Sequence, residues 1–339
     1  MDRAGRNFLA LTTVALVFGA YGLCALIAYG VLPLVEGRSQ NSGLESFAVA
    51  GLATLLVVSA SLAARTLWRE AVAARALSRR VEADAIPIPS MLALAAGEVG
   101  LAGRVQVVDS ARSCSFVYGA LAPRVVLSGG LLSRLSEVEL RAALEHERYH
   151  LLNLDPLRDA LARAVVDGLF FLPALKSIQR RYEAARELAA DRRAVALVGS
   201  QPLAAALLKA MESAGEAPPA TVALAGPRVM EARLTQLETG REPGLAAVDG
   251  RSLATTALGA LAFLILLAGV PLAAGGSREL ARELGPAALL EGAILCLLPL
   301  AVAAALIYRR LWTRSTLNRP RGREGSCPSS PDRPRAPGP

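Results

Sequence analysis

The two histidines of this 339-residue chain are His146 and His150. They stand four residues apart, with Glu147 beside the first, in the stretch ALEHERYHLLNLD at 143–155. On a helix, residues i and i+4 share a face. Two imidazoles so placed can grip one divalent cation, and the glutamate beside them can act as its general base. That is the physical content of an HExxH motif. Scattered at random, two histidines would fall four apart with a glutamate after the first in roughly one of several thousand sequences. The competing explanation, two polar residues on a solvated helix face, would have to consume the whole histidine supply.

A catalytic zinc takes three protein ligands and a water. There is no third histidine, so the remaining ligand must be Asp, Glu or Cys. The richest source is RYEAARELAADRRAVAL at 181–197, which reads as a helix carrying Glu183, Glu187 and Asp191 at i, i+4 and i+8. The same stripe could be solvated and paired with Arg180, Arg186 and Arg192. The oxyanion of peptide hydrolysis needs a donor besides the metal, and Tyr149, Tyr182 or Arg233 could supply it.

These groups need elements to position them. Ser136 followed by Glu139 has the spacing of a capping box. No Gly or Pro then intervenes until Pro156, so a helix over 137–153 is expected. RVQVV at 104–108 and RVVL at 124–127 read as short strands. The second lies just before the histidine helix, where an extended peptide could pair with a strand edge.

The surroundings are apolar. The chain is 53% hydrophobic but only 4% aromatic, with a mean hydropathy of +0.40. Four apolar runs at 8–32, 47–64, 253–274 and 287–308 are long enough for helices to cross a hydrocarbon core of about 30 Å. Arg3 and Arg6 precede the first run, and Arg65, Arg69, Arg75, Arg79 and Arg80 follow the second. Arg251 precedes the third, and Arg309, Arg310 and Arg314 follow the fourth. The two intervening hairpin loops are near neutral. The positive-inside rule then places both termini and residues 65–252 in the cytoplasm. Topology thus explains the net charge of +8, and direct nucleic-acid binding is not expected. The four cysteines, Cys24, Cys114, Cys296 and Cys327, have no paired spacing, so no disulfide framework is expected.

Residues 157–175 are apolar but interrupted by Asp159, Arg163 and Asp167. If His150 and Glu187 meet at one ion, an even number of crossings separates them, and the intervening chain is too short for two spans. This segment is expected to lie at the interface without crossing.

Several motifs together resemble the integral-membrane zinc peptidases of the BlaR/MecR antirepressor type, and more distantly the HtpX-like and CAAX-prenyl proteases. They are FVYGALAPRVVLSGGLL at 116–132, HERYH at 146–150, Asp155, ELAAD at 187–191 and ARLTQL at 232–237. The resemblance covers roughly 85–240 and the flanking spans. It implies a gluzincin set of the form HExxH…ExxxD. His146, His150 and Glu187 match the ligands of one zinc ion, and Glu147 matches the catalytic base. Asp191 matches the acid that orients a ligand imidazole, Asp155 is expected to be structural, and Glu183, without a counterpart, is expected at the surface.

The fold class so implied is mainly α and integral to the membrane. Four transmembrane helices flank a cytoplasmic α+β zincin-type metallopeptidase domain with a small β-sheet. The expected divisions are 1–64 for two spans, 65–252 for the peptidase domain, 253–308 for two more spans and 309–339 for a disordered basic tail. The expected activity is zinc-dependent endopeptidase cleavage at the cytoplasmic face of a bacterial inner membrane. Its expected partners are the lipid bilayer and a protein substrate, such as a BlaI-type repressor or another regulatory protein. No extracytoplasmic ligand-binding domain is expected after the last span, unlike in the sensor members. The alternative is a non-proteolytic membrane transducer or scaffold that keeps the peptidase fold.

Overall fold

The computed structural model describes residues 2–35, 43–212 and 227–273. They are mainly helical, with one small mixed sheet. Helix α1 spans Arg3–Leu26. The Asp2 carboxylate accepts from the Gly5 N–H at 2.8 Å, satisfying one of the donors that a helix start leaves open. The helix runs on through a π-helical turn, Ile27–Val31, into α2, Leu32–Val35.

Helix α3 is a single element of 41 residues, Gly43–Ala83. It contains no Gly or Pro after Gly51, so nothing in the backbone stops it where arginines replace apolar residues. The division expected at residue 64 therefore falls inside one helix. Three helical stretches, Arg3–Leu26, Ser46–Ala83 and Gly250–Leu267, are long and apolar enough to cross a membrane. The expected span at 287–308 and the tail at 309–339 lie outside the described residues.

Four strands follow: β1 (Ala85–Ile86), β2 (Val105–Val108), β3 (Ser115–Tyr118) and β4 (Arg124–Ser128). Their order is β1-β2-β4-β3, with β2 and β4 parallel and the outer pairs antiparallel. The two strands expected from sequence are thus the central pair. Among the described residues, the free edge beside the histidine helix belongs to β3, not to β4, which is flanked on both sides.

Alternation along the strands sends side chains to two faces. Val105, Val107, Val125 and Leu127 join the main core with Leu92, Leu140, Leu144 and Leu151. Val108, Val126 and Tyr118 face the other way and pack with Val81 of α3. Helix α4 (Ser90–Glu98) and the short α5 (Gly129–Leu132) complete this layer.

The remaining helices are α6 (Glu137–Asn153), α7 (Asp155–Gly168), α8 (Ala174–Val198), α9 (Ser200–Glu212), α10 (Pro227–Thr239) and α11 (Gly250–Ala273). Helices α7 and α8 form a hairpin whose tip is LFFLP at 169–173. The 157–175 segment therefore turns back on itself. The tip is seated among the apolar helices: the Phe171 ring lies 5.9 Å from Phe18 and 6.0 Å from Phe263. Two glycines make room for it. A Cβ on Gly259 would stand 2.0 Å from the Phe171 carbonyl oxygen, and one on Gly168 would stand 3.2 Å from the Ser59 carbonyl oxygen.

Candidate metal centre

Helix α6 begins with the expected capping box: Ser136 Oγ accepts from the Glu139 N–H, and the Glu139 carboxylate accepts from the Ser136 N–H. Its inward face carries Leu140, Leu144 and Leu151, and with them His146, Glu147 and His150, all buried. Helix α8 packs against α6 and brings in Glu187 and Asp191, also buried.

The imidazoles meet at their Nε2 atoms, 3.1 Å apart. The two Glu187 carboxylate oxygens lie 3.6 Å from His146 Nε2 and 3.8 Å from His150 Nε2. A tetrahedral ion with ligand bonds of about 2.1 Å holds its ligand atoms about 3.4 Å apart. The three donors already stand near that spacing, and they form a group able to hold a metal ion.

The other side of each imidazole is occupied by a carboxylate. His150 Nδ1 is 2.7 Å from Asp155 Oδ2, and His146 Nδ1 is 2.9 Å from Asp191 Oδ1. A carboxylate at Nδ1 draws the ring proton to that nitrogen, which leaves the Nε2 lone pair for a cation. Asp155 thus touches a histidine of the motif, beyond the merely structural part expected of it. Leu154 makes the contact possible. At φ 54° it is the one non-glycine residue with positive φ among the described residues. It breaks the chain between α6 and α7 so that the first residue of α7 turns back on His150.

The electrostatics favour a cation. Burial and the Arg233 charge press the His146 pKa down. Contacts with Asp191 and Glu187 outweigh them and raise it from 6.5 to about 9. Burial alone would raise Glu187. His150, His146, Arg186 and Arg233 instead hold its carboxyl well below the usual range. Asp191 is also lowered: burial opposes ionisation, but Arg233 and His146 overcome it. The centre thus holds ionised carboxylates beside the His146 imidazole, and together they create a negative potential around it.

Two buried arginines fix these acids. Arg233 donates to both Asp191 oxygens at 2.8 Å, and its Nη1 stands 3.5 Å from Glu187 Oε2. Arg186 Nη2 donates to Glu187 Oε1 at 3.0 Å, and its Nη1 donates to Asp159. Glu147 lies on the same helix face, with its Oε1 accepting from Ser115 Oγ of β3 at 2.5 Å.

The three oxyanion-donor candidates are placed differently. Tyr149 gives its hydroxyl to Asp2 at 2.9 Å. Tyr182 is buried against Phe8, with ring centroids 5.5 Å apart. Arg233 is the one of the three whose polar group reaches the His–His–Glu set, with Nη1 3.5 Å from Glu187 Oε2. Glu183 lies outside that group. It is half-buried and accepts from Gln179 Nε2 at 3.1 Å.

Sequence reasoning missed the roles of Ser115 and Asp159, and it weighed Arg186 only as a partner of the acidic stripe if that stripe were solvated. Asp159 had a faint signal, as a charge interrupting an apolar segment. Ser115 had none.

A family model described as BlaR1 peptidase M56 matches residues 39–237. No curated protein and no solved structure matches the chain.

Proposed function

For this chain, which belongs to the BlaR1 peptidase M56 family of metallopeptidases, we propose a zinc-dependent endopeptidase acting at the cytoplasmic face of a bacterial inner membrane. One observation carries the reading: His146, His150 and Glu187, drawn from two helices, converge with their donor atoms within 4.8 Å of one another. A His₂Glu set leaves a fourth position for water or substrate, as catalytic zinc requires.

Bound there, zinc would polarise the scissile carbonyl and acidify a water. The chain supplies the remainder. Asp191 and Asp155 keep the imidazoles turned inward. Ser115 holds Glu147 by Oε1, leaving Oε2 to take the proton of the attacking water and pass it to the departing amine. Arg233 is the best placed of the three candidates to support the oxyanion, with Asp191 and Glu187 as its anchors. The free edge of β3 adjoins the base, and an extended substrate pairing along it would bring its peptide bond toward the centre.

The substrate in this reading is a regulatory protein, such as a BlaI-type repressor. Four spans enclose the metallopeptidase domain, both termini are cytoplasmic, and the third and fourth spans occupy 253–308. The arginines that flank the apolar runs support this orientation.

The test is purification with metal analysis, beside a Glu147→Ala variant, in a casein or self-cleavage assay. One zinc per chain is expected in both proteins, with proteolysis in the parent alone. Equal proteolysis by both would remove Glu147 as the base. Zinc without proteolysis in either would favour a non-proteolytic transducer. For orientation, cysteines placed at Ser42 and Ser277 should react with a membrane-impermeant reagent from outside the cell. Labelling from the cytoplasm alone would reverse the topology.

A further inference from the structure

Between α3 and the α7–α8 hairpin lies a second polar constellation that peptide hydrolysis does not use. A cavity of about 410 Å³ opens between α3 and the hairpin. Arg65 and Arg69 of α3 line it from one side and Lys176 of α8 from the other, with Asp167 at the end of α7. Its apolar walls include Leu62 and Phe170. We propose that this cavity binds the headgroup of an anionic glycerophospholipid.

Charge is the first argument. Three cations face one carboxylate, and that carboxylate already accepts from Thr66 Oγ1 at 2.5 Å. Glu70, the acid next to Arg69 in the chain, is taken by Arg163 at 2.8 Å. Among the described residues, Arg65, Arg69 and Lys176 are in ion-pair contact with no carboxylate. A phosphodiester would offset part of this excess, because arginine and lysine both donate well to phosphate oxygens.

Position is the second argument. The cavity lies where the uncharged run 47–64 gives way to arginine, at the level where headgroups sit when that run crosses the bilayer. Only 6% of the most apolar stretch of α3 is buried. Trp68, at 67% exposed, and Phe170, at 49%, stand at the same level, as interfacial aromatic residues do. The wall at Leu62 therefore continues into a lipid-facing helix surface along which acyl chains can lie.

The positive-inside rule alone would account for Arg65 and Arg69. It does not account for a cavity, nor for Lys176, one of the chain's two lysines, reaching the same space from a helix more than 100 residues further on. Basic pockets beside membrane helices are suited to anionic headgroups. Helix α8, which lends Lys176, also carries Glu187. The occupant would brace that helix against the span.

The experiment uses the delipidated full chain in detergent, offered phosphatidylglycerol or phosphatidylcholine and examined by native mass spectrometry. One phosphatidylglycerol per chain should survive conditions that strip phosphatidylcholine. A triple variant, Arg65→Gln, Arg69→Gln and Lys176→Gln, should lose at least tenfold in occupancy. Arg75→Gln with Arg79→Gln, further along the same helix, should lose none. Lys176→Arg should retain the lipid, and unchanged metal content in every variant would certify folding. Millimolar inorganic phosphate should leave the lipid in place. Equal retention of the two lipids, equal losses in the two Gln sets, or displacement by inorganic phosphate would each overturn the assignment.

Discussion

The Tyr149 hydroxyl donates a hydrogen bond of 2.9 Å to the Asp2 carboxylate, linking the interior of the HERYH motif to the first turn of the N-terminal apolar helix. The Tyr149 ring stands edge-on to His150 at 5.8 Å. Phe8, two turns along α1, packs on Tyr182 of α8 and carries the Arg158 guanidinium over its face at 5.6 Å. The first apolar helix is therefore part of the wall that supports the centre. Burial and the Asp2 charge push the Tyr149 pKa well above 10, so the phenol remains a donor at neutral pH.

That bond should be measurable as a coupling. Tyr149→Phe and Asp2→Asn are each expected to destabilise the protein by about 1 kcal/mol. The double variant should cost less than the sum of the two. Denaturant unfolding in detergent reads the cycle, and strict additivity would show that the contact is not formed in solution.

Glu147→Gln should retain one zinc per chain and lose about 10²–10⁴-fold in kcat. Ser115→Ala should also keep the metal. It should lower kcat by about tenfold with KM nearly unchanged, because it frees the base to rotate without touching substrate. A Ser115→Ala variant of full activity would show that Glu147 is oriented by other means.

The two carboxylates on the imidazoles should separate in their effects. Loss of such a partner typically costs about 10–100-fold in metal affinity, and Asp155→Asn should fall in that range. Asp191→Asn should do more. It leaves Arg233 buried without the carboxylate that accepts two of its hydrogen bonds, a loss of about 3–5 kcal/mol. Zinc titration beside thermal unfolding distinguishes them. Equal unfolding temperatures would mean that Arg233 finds a second partner.

Metal removal should act on both stability and activity. A chelator is expected to abolish proteolysis and lower the unfolding temperature, with both restored by stoichiometric zinc. Glu187→Ala should reproduce the chelated state and not respond to zinc. Restoration of activity in that variant would require another acid as the third ligand.

The histidine helix was readable because everything that defines it is local: a capping box, an uninterrupted run of helix formers and a four-residue spacing. The third ligand was harder. Glu183, Glu187 and Asp191 share a stripe, but each four-residue step advances about 40° around a helix. Tertiary placement of α8, absent from a local reading, decides which of them faces the ion. The Asp155 contact depends on one left-handed residue, Leu154, a conformation that leucine rarely signals. Strand β3 is four residues long and follows SARSC, so nothing marked it as the sheet edge. The Tyr149–Asp2 bond closes across 147 residues, beyond any periodicity. The change of composition at residue 64 suggested a division because it follows polarity, whereas the backbone of α3 follows helix propensity and continues.

A helix of 41 residues is about 60 Å long, roughly twice the thickness of the hydrocarbon it would cross. If its apolar half crosses, the other half of α3 would extend beyond the bilayer as a shaft. It ends at Ala83, and the next strand, Ala85–Ile86, pairs with Val107 and Val108. One turn residue, Asp84, separates the two, so a thrust or twist of the rod would reach the margin of the sheet.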